Sequence, residues 1–489
     1  MTTFNINIRY RWLLLLVAAC IGFTGCKKFL DTRENPNLSS KASVELLLPA
    51  VEAALGHVLG NPLQIHGGIW AQYWTQNPTA SQYRSLDQYS ITTTGFDRPW
   101  RMLYSDAMQD IQEILNLTQG KQASDQYTAI TLILKAYAFQ LATDAFGDIP
   151  LTQAATPNVT NPTYTPQQQI YDSIIGYVNR AIALIDVDAE VTPGSDDLIF
   201  QGDMEQWLRF ANTFKLRVLL RISQIAPQKS IAEIPTLNNA LFLEEDAQIQ
   251  YTAVGGNQNP LFSEILGLGR TQNLVASQTV ARYMTQNSDP RADVFFNRYR
   301  NPTTGVDSII GIPQGSYRTN TRVLSFPSPI VGANGQDNES ADAPVKFMSG
   351  AESYFLQAEA VVRGWLNVGV PASTLFQDGI RASFTSYNVP GVANYIATAP
   401  AAQWPSGTTA QIRAIIIQKW LAMTGNQGFE AWSEWRRTGY PDFFTVSRAS
   451  ALGDNRMPAR LLYPSSEVTR NLNFPGIKPI YESVWWDVN

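Results

Sequence analysis

Paired carboxylates and clustered aromatic rings are the groups in this chain whose types and spacing could do chemistry. Asp144 and Asp148 stand one helical turn apart, as do Glu430 and Glu434, and Glu244 and Glu245 are adjacent. Two carboxyls so placed could divide acid and base or nucleophile roles in glycoside cleavage, or share a cation. None sits in a motif that demands catalysis, and capping or ion pairing accounts for the same spacing. The second group is Trp70–Tyr89, WAQYWTQNPTASQYRSLDQY, where flat rings stand beside planar amides. Sugar recognition uses that combination, because ring faces stack on pyranose C–H groups while amides and guanidinium groups pair with hydroxyls. Trp74 and Tyr83 are therefore expected as stacking platforms, with Asn77 and Arg84 as polar contacts. Tyr317 and Arg318 join them from a distant loop. Trp70, Tyr73 and Trp74 also fit one helical face ended by Asn77-Pro78, and on that reading they are core.

Helices must position these groups. Val44, Leu47, Leu48, Val51, Leu55 and Val58 recur at helical spacing, as do Trp100, Leu103, Met108, Ile111 and Leu115, and Ile170, Ile174, Val178, Ala181 and Ile182. Tyr127–Phe146 is apolar all round with interspersed alanines, which predicts a central helix ended by Gly147. Near the C-terminus, Ile412–Trp420 and a Trp-rich segment after Gly425 predict a helical hairpin. Glu434 and Arg437 are spaced for an ion pair, and Trp432 and Arg436 for a cation–aromatic contact. Irregular stretches fall at Tyr251–Phe262 and Asn301–Pro344, long loops of the kind that carry function.

Composition narrows the classes. The chain has 489 residues, 16% charged and 11% aromatic, with a net charge of −5. No basic face is available for phosphates, so nucleic acid is not an expected partner. His57 and His66 are the only histidines, His66 being expected in a turn beside Gly67-Gly68, and no HExxH, CxxC, P-loop or GxGxxG pattern is present. No cofactor or metal is expected from this; a calcium ion on scattered carboxylates would leave no spacing to read.

The two cysteines, Cys20 and Cys26, lie in the N-terminal region. Arg9 and Arg11 precede an apolar run too short to span a bilayer, the pattern of a signal peptide over residues 1–25. Phe23-Thr24-Gly25-Cys26 resembles a bacterial lipobox, with Cys26 as the acylated first residue of the mature chain. Residues 26–40, rich in Asn, Pro and Ser, read as a tether, and 41–489 as a single helical domain.

Several blocks carry a family resemblance. Ile415, Lys419 and Trp420, then Glu430, Trp432, Arg436, Arg437, Tyr440 and Pro441, then Arg460, Tyr463, Pro464, Glu467 and Asn471 match in order the C-terminal signature of the SusD/RagB family of outer-membrane nutrient-binding lipoproteins. Upstream, CKKFLD at the anchor, the turn at Thr143–Pro150, the block from Trp207 to Arg221, Ser288–Arg291, Gly311–Gly315 and Phe347–Trp365 resemble further family elements. The resemblance covers essentially the whole mature chain. It implies an all-α fold of four divergent tetratricopeptide-like units with long irregular loops in the C-terminal half, and no enzymatic activity. It also implies capture of oligosaccharide or peptide for a SusC-like TonB-dependent transporter, on which such proteins act as a lid at the outer membrane, anchored by the lipid on Cys26. Ligand sites of the family draw on N-terminal loop aromatics and the C-terminal-half loops. A helical hydrolase using paired carboxylates is the competing class. Lys215, Arg217 and Arg221 are expected on a solvated or salt-bridged face.

Overall fold

Apolar periodicity is realised as helices along most of the chain. The computed structural model describes residues 42–489 apart from 157, 267–270, 319–322 and 454. The signal peptide, Cys26 and the tether lie outside the described residues. The main elements are α1 (Val44–Val58), α2 (Gln64–Trp70), β1 (Trp74–Gln76), α3 (Gln109–Thr118), α4 (Asp125–Phe146), α5 (Gln167–Leu184) and α6 (Met204–Arg221). There follow β2 (Ala247–Ile249), β3 (Leu274–Ala276), α7 (Gln278–Gln286), β4 (Val345–Met348), α8 (Gly350–Val362), α9 (Ala372–Ser386), α10 (Thr408–Ala422) and α11 (Gly428–Thr438).

The centre is α4. Only Asp125 and Lys135 of its 22 residues escape burial, as its uniform apolarity requires, and each fully buried Ile, Leu or Phe contributes about 1.5–3 kcal/mol. The helix stops where Gly147 takes φ +89°, a conformation that costs glycine little. Next to it α5 runs back antiparallel: Gln126 Nε2 at the start of α4 donates to the Leu184 carbonyl at the end of α5. Asp148 accepts from the Gln167 amide at 3.0 Å and so caps the first turn of α5, the turn-making role expected of it. On either side α3 and α6 extend the stack, and α8, α9 and α10 pack as a second group reached through α6. This succession of antiparallel helices is an all-α, tetratricopeptide-like architecture.

Strands are few and short. β1 pairs antiparallel with β3, Trp74 opposite Ala276, and β2 with β4. Phe347 lies on β4 rather than on the helix that follows, because Ser349 caps α8 by accepting from the Glu352 amide at 3.1 Å. The run Val44–Trp70 is long and apolar enough to cross a membrane by length and composition, but Leu48, Val51, Leu55, Val58 and Trp70 are buried in the core. At its end α2 meets α11 backbone to backbone: a Cβ on Gly67 would lie 2.2 Å from the Phe429 amide nitrogen. His66 is part of α2 and not of a turn. It packs between Trp70 and Phe96, its Nδ1–H donates to the Pro62 carbonyl at 2.6 Å, and burial pushes its imidazole down to about 4.

Candidate functional site

The Trp70–Tyr89 segment does not continue α2. Gln72 adopts φ +59°, and Trp74–Gln76 becomes a strand whose partner lies some two hundred residues away. Trp74 is fully buried with its ring over Gly68, where a Cβ would come within 2.7 Å. Tyr83 is buried beneath the 77–90 loop, its amide donating to Gln76 Oε1 at 2.6 Å. Neither ring offers a stacking face to solvent, which corrects the expectation that they are platforms. Asn77 is buried too: its Nδ2 donates to the Gln272 carbonyl at 2.7 Å, and its Oδ1 accepts from Thr79 at 3.1 Å. Tyr317 is buried with its hydroxyl accepting from Gln88 Nε2 at 2.7 Å, and Arg84 lies over its ring, 5.3 Å from the centroid. The structure therefore brings the singled-out residues into one loop cluster but turns most of them inward. Arg84 and Arg318 are exposed. Beneath the cluster, Asp87 accepts from Thr75 Oγ1 at 2.7 Å and from the Gln76 amide at 2.8 Å; burial outweighs these bonds and pushes its carboxyl up to about 6.

The carboxylate pairs meet a different fate. Arg221 donates to Glu434 at 2.7 Å and Glu430 at 2.6 Å, and its Nε lies 3.3 Å from Asp144. Arg437 bridges Glu434 and Glu359, 2.6 Å from each. Lys419 lies 3.3 Å from Glu434 and 3.6 Å from Glu352, which Arg217 approaches at 3.5 Å. Arg436 stacks 3.6 Å over Trp432 and donates to the Asp144 carbonyl. Five acids (Asp144, Glu352, Glu359, Glu430, Glu434) thus face five bases (Arg217, Arg221, Lys419, Arg436, Arg437), all buried. Arg217 and Arg221 are ion-paired, as one expectation had it, yet not solvated. Asp144 is not a cap; it accepts from Tyr171, Gln140 and Trp486. Burial would raise the Glu434 carboxyl, but Arg437, Lys419 and Arg221 hold it well below the ordinary carboxylate value. At Glu352 burial prevails over Arg217 and Lys419, and the carboxyl is raised. Glu244 is exposed and pairs with Arg209 at 2.9 Å. Among the described residues no group of three or more His, Cys, Asp or Glu converges as a metal site.

A concave surface opens elsewhere. Between α7 and the segment after α11 lies a cleft of about 430 Å³, within the range of small-ligand sites. Its aromatic wall is Tyr283 stacked on Phe443, centroids 4.7 Å apart at 15°, backed by the edge-on indole of Trp420. Gln72 ties the two sides together: its Oε1 accepts from Thr279 Oγ1 at 2.6 Å and its Nε2 donates to the Thr445 carbonyl at 2.8 Å.

Residues 36–464 match the family model described as "Starch-binding associating with outer membrane", SusD-like. The chain belongs to the SusD-like family. Solved structures agree on the fold. A protein described as chitin-binding superposes with TM-score 0.79 at 22% identity, covering 91% of this chain and 100% of its own. A chitin-binding SusD homolog from Flavobacterium johnsoniae gives 0.76 at 24%, over 90% and 99% of the two chains. A SusD-like protein from Bacteroides thetaiotaomicron gives 0.74 at 23%, over 91% and 99%. No curated relative matches this sequence. In this SusD-like chain the signature residues Lys419, Glu430, Arg436 and Arg437 build the buried charge network, while the cleft wall comes from positions that sequence reasoning passed over. The signal for it was present: Gln278, Arg282 and Gln286, and Thr279 and Tyr283, recur at i, i+4 on one face of α7.

Proposed function

We propose that this SusD-like chain is a non-catalytic, lipid-anchored receptor of the outer-membrane surface. It captures oligosaccharide and hands it to a SusC-like TonB-dependent transporter, over which it sits as a lid. The observation that carries this reading is the match of residues 36–464 to a family described as starch-binding and associated with the outer membrane. Two structural neighbours are described as chitin-binding, which favours glycan over peptide. Hydrolysis by paired carboxylates is disfavoured by chemistry: a general acid needs a proton to give near neutral pH, and Glu434 is held well below the ordinary value by three cations. Of the residues singled out from sequence, Arg84 and Arg318 are assigned as polar ligand contacts. Trp74, Asn77, Tyr83 and Tyr317 are assigned as the frame that holds that face. The test is purification of the full-length protein in mild detergent from cells growing on glycan. A large β-barrel is expected to co-purify, and immobilised starch- or chitin-derived oligosaccharides are expected to retain the complex. Recovery only as a free monomer overturns the transporter partnership, and failure to bind any saccharide overturns the glycan receptor.

A further inference from the structure

The cleft beside α7 has a chemistry of its own. One helical face presents Gln278, Arg282 and Gln286 in a row and Thr279 and Tyr283 in the next, while Val280, Ala281 and Met284 are buried on the opposite face. Tyr283 and Phe443 are half-buried, so their stacked pair forms a wall that is packed from behind by Trp420 and reaches the cleft in front. Among the described residues, the side chains of Arg282, Gln278 and Gln286 have no hydrogen-bond or ion-pair partner. The neighbouring cation Arg413 is already neutralised by Asp442, at 2.7 and 3.0 Å. Among the described residues no carboxylate lines the cleft. It therefore offers an aromatic wall and a surplus of N–H donors, one of them permanently charged, on a protein whose net charge is −5.

We infer that this cleft is a saccharide subsite for acidic sugars, in which a pyranose ring stacks on the Tyr283–Phe443 wall and its carboxylate pairs with Arg282. Gln278 and Gln286, one turn to either side, donate to ring oxygens and hydroxyls of the flanking units. The inference rests on the receptor reading and names its ligand class. Stacking supplies affinity for any hexose. The charge-assisted, two-pronged contact to Arg282 supplies the preference for a carboxylate.

The test is calorimetric titration of the full-length mature protein in detergent with oligomers of galacturonate, mannuronate and glucuronate. Their methyl-esterified counterparts, which keep the ring and lose the charge, and neutral starch- and chitin-derived oligomers are run in parallel. At least one acidic oligomer is expected to bind, roughly tenfold to a hundredfold more weakly after Arg282→Gln or after esterification. Binding is also expected to weaken as salt rises. Arg282 is exposed, so its replacement leaves folding intact, and circular dichroism checks this. Binding of neutral oligomers alone, or of acidic ones with no response to Arg282→Gln, overturns the inference and leaves the receptor reading standing. So does acidic binding that is abolished by Arg84→Ala with Arg318→Ala and unchanged by Arg282→Gln. Failure of every saccharide overturns both.

Discussion

A carboxyl that burial pushes up to about 6 binds its proton more tightly in the folded chain than in the unfolded one, and Asp87 is such a group. The stability it contributes as the neutral acid is present at low pH and is lost as pH rises through about 6. Relative to an Asp87→Asn variant, the wild-type chain should therefore lose about 2 kcal/mol of stability between pH 4 and pH 7.5. Urea unfolding of both chains at the two pH values measures this, and parallel pH dependences would refute it. Trp74 makes a second case. With its ring fully buried over Gly68, Trp74→Ala should cost about 3–5 kcal/mol of stability, read as a lower urea midpoint. A variant as stable as the wild type would return the ring to the surface. At this scale the sequence misled for a physical reason. Trp70 and Trp74 stand four apart and fit a helix, but the backbone turns at Gln72 and Trp74 pairs with Ala276, a contact that local periodicity cannot register.

Helices and their ends were far more legible. The apolar stripes of α1, α4 and α5 lie where the spacing put them, and within α11 the Glu434–Arg437 pair and the Arg436–Trp432 stack are local enough to be read from three- and four-residue spacing. What spacing could not supply is the meeting of α11 with α6, α8 and α10, which turns separate basic and acidic residues into one buried network. Removing a single partner from such a network leaves a buried charge uncompensated, a larger effect than the loss of a surface pair. Arg437→Met, which removes the buried cation bridging Glu359 and Glu434 and leaves Glu359 to Arg363 alone, should lower stability by about 3–5 kcal/mol. Arg381→Met, which breaks the exposed pair with Asp378, should cost less than about 1 kcal/mol. Equal midpoints for the two variants in denaturant would show that the network is not the brace described above.

Across the whole molecule, family membership was readable from motifs spread over the mature chain, because those motifs are the joints where distant helices meet. The cleft beside α7 was not readable, since it is assembled from α7, the Gly311–Gly315 loop and the segment after α11, none of which is contiguous. The proposed lipid anchor is tested at the same scale. Cys26→Ala should move the protein from the outer-membrane fraction to the soluble periplasmic fraction; retention of the variant in membranes washed at high salt would refute lipid attachment at that residue.

The backbone crossing of α2 and α11 also governs when the protein can exist. The Gly428 amide donates to Gln64 across 364 positions of sequence, so the indole of Trp70, which His66 and the Leu86 carbonyl hold locally, lacks its Trp432 neighbour until almost the last of the polypeptide has been made. Contacts of such range form late and slowly, and until they do the N-terminal segment exposes apolar surface. Loss of the final sixty residues would then yield no smaller folded unit, only an aggregation-prone chain.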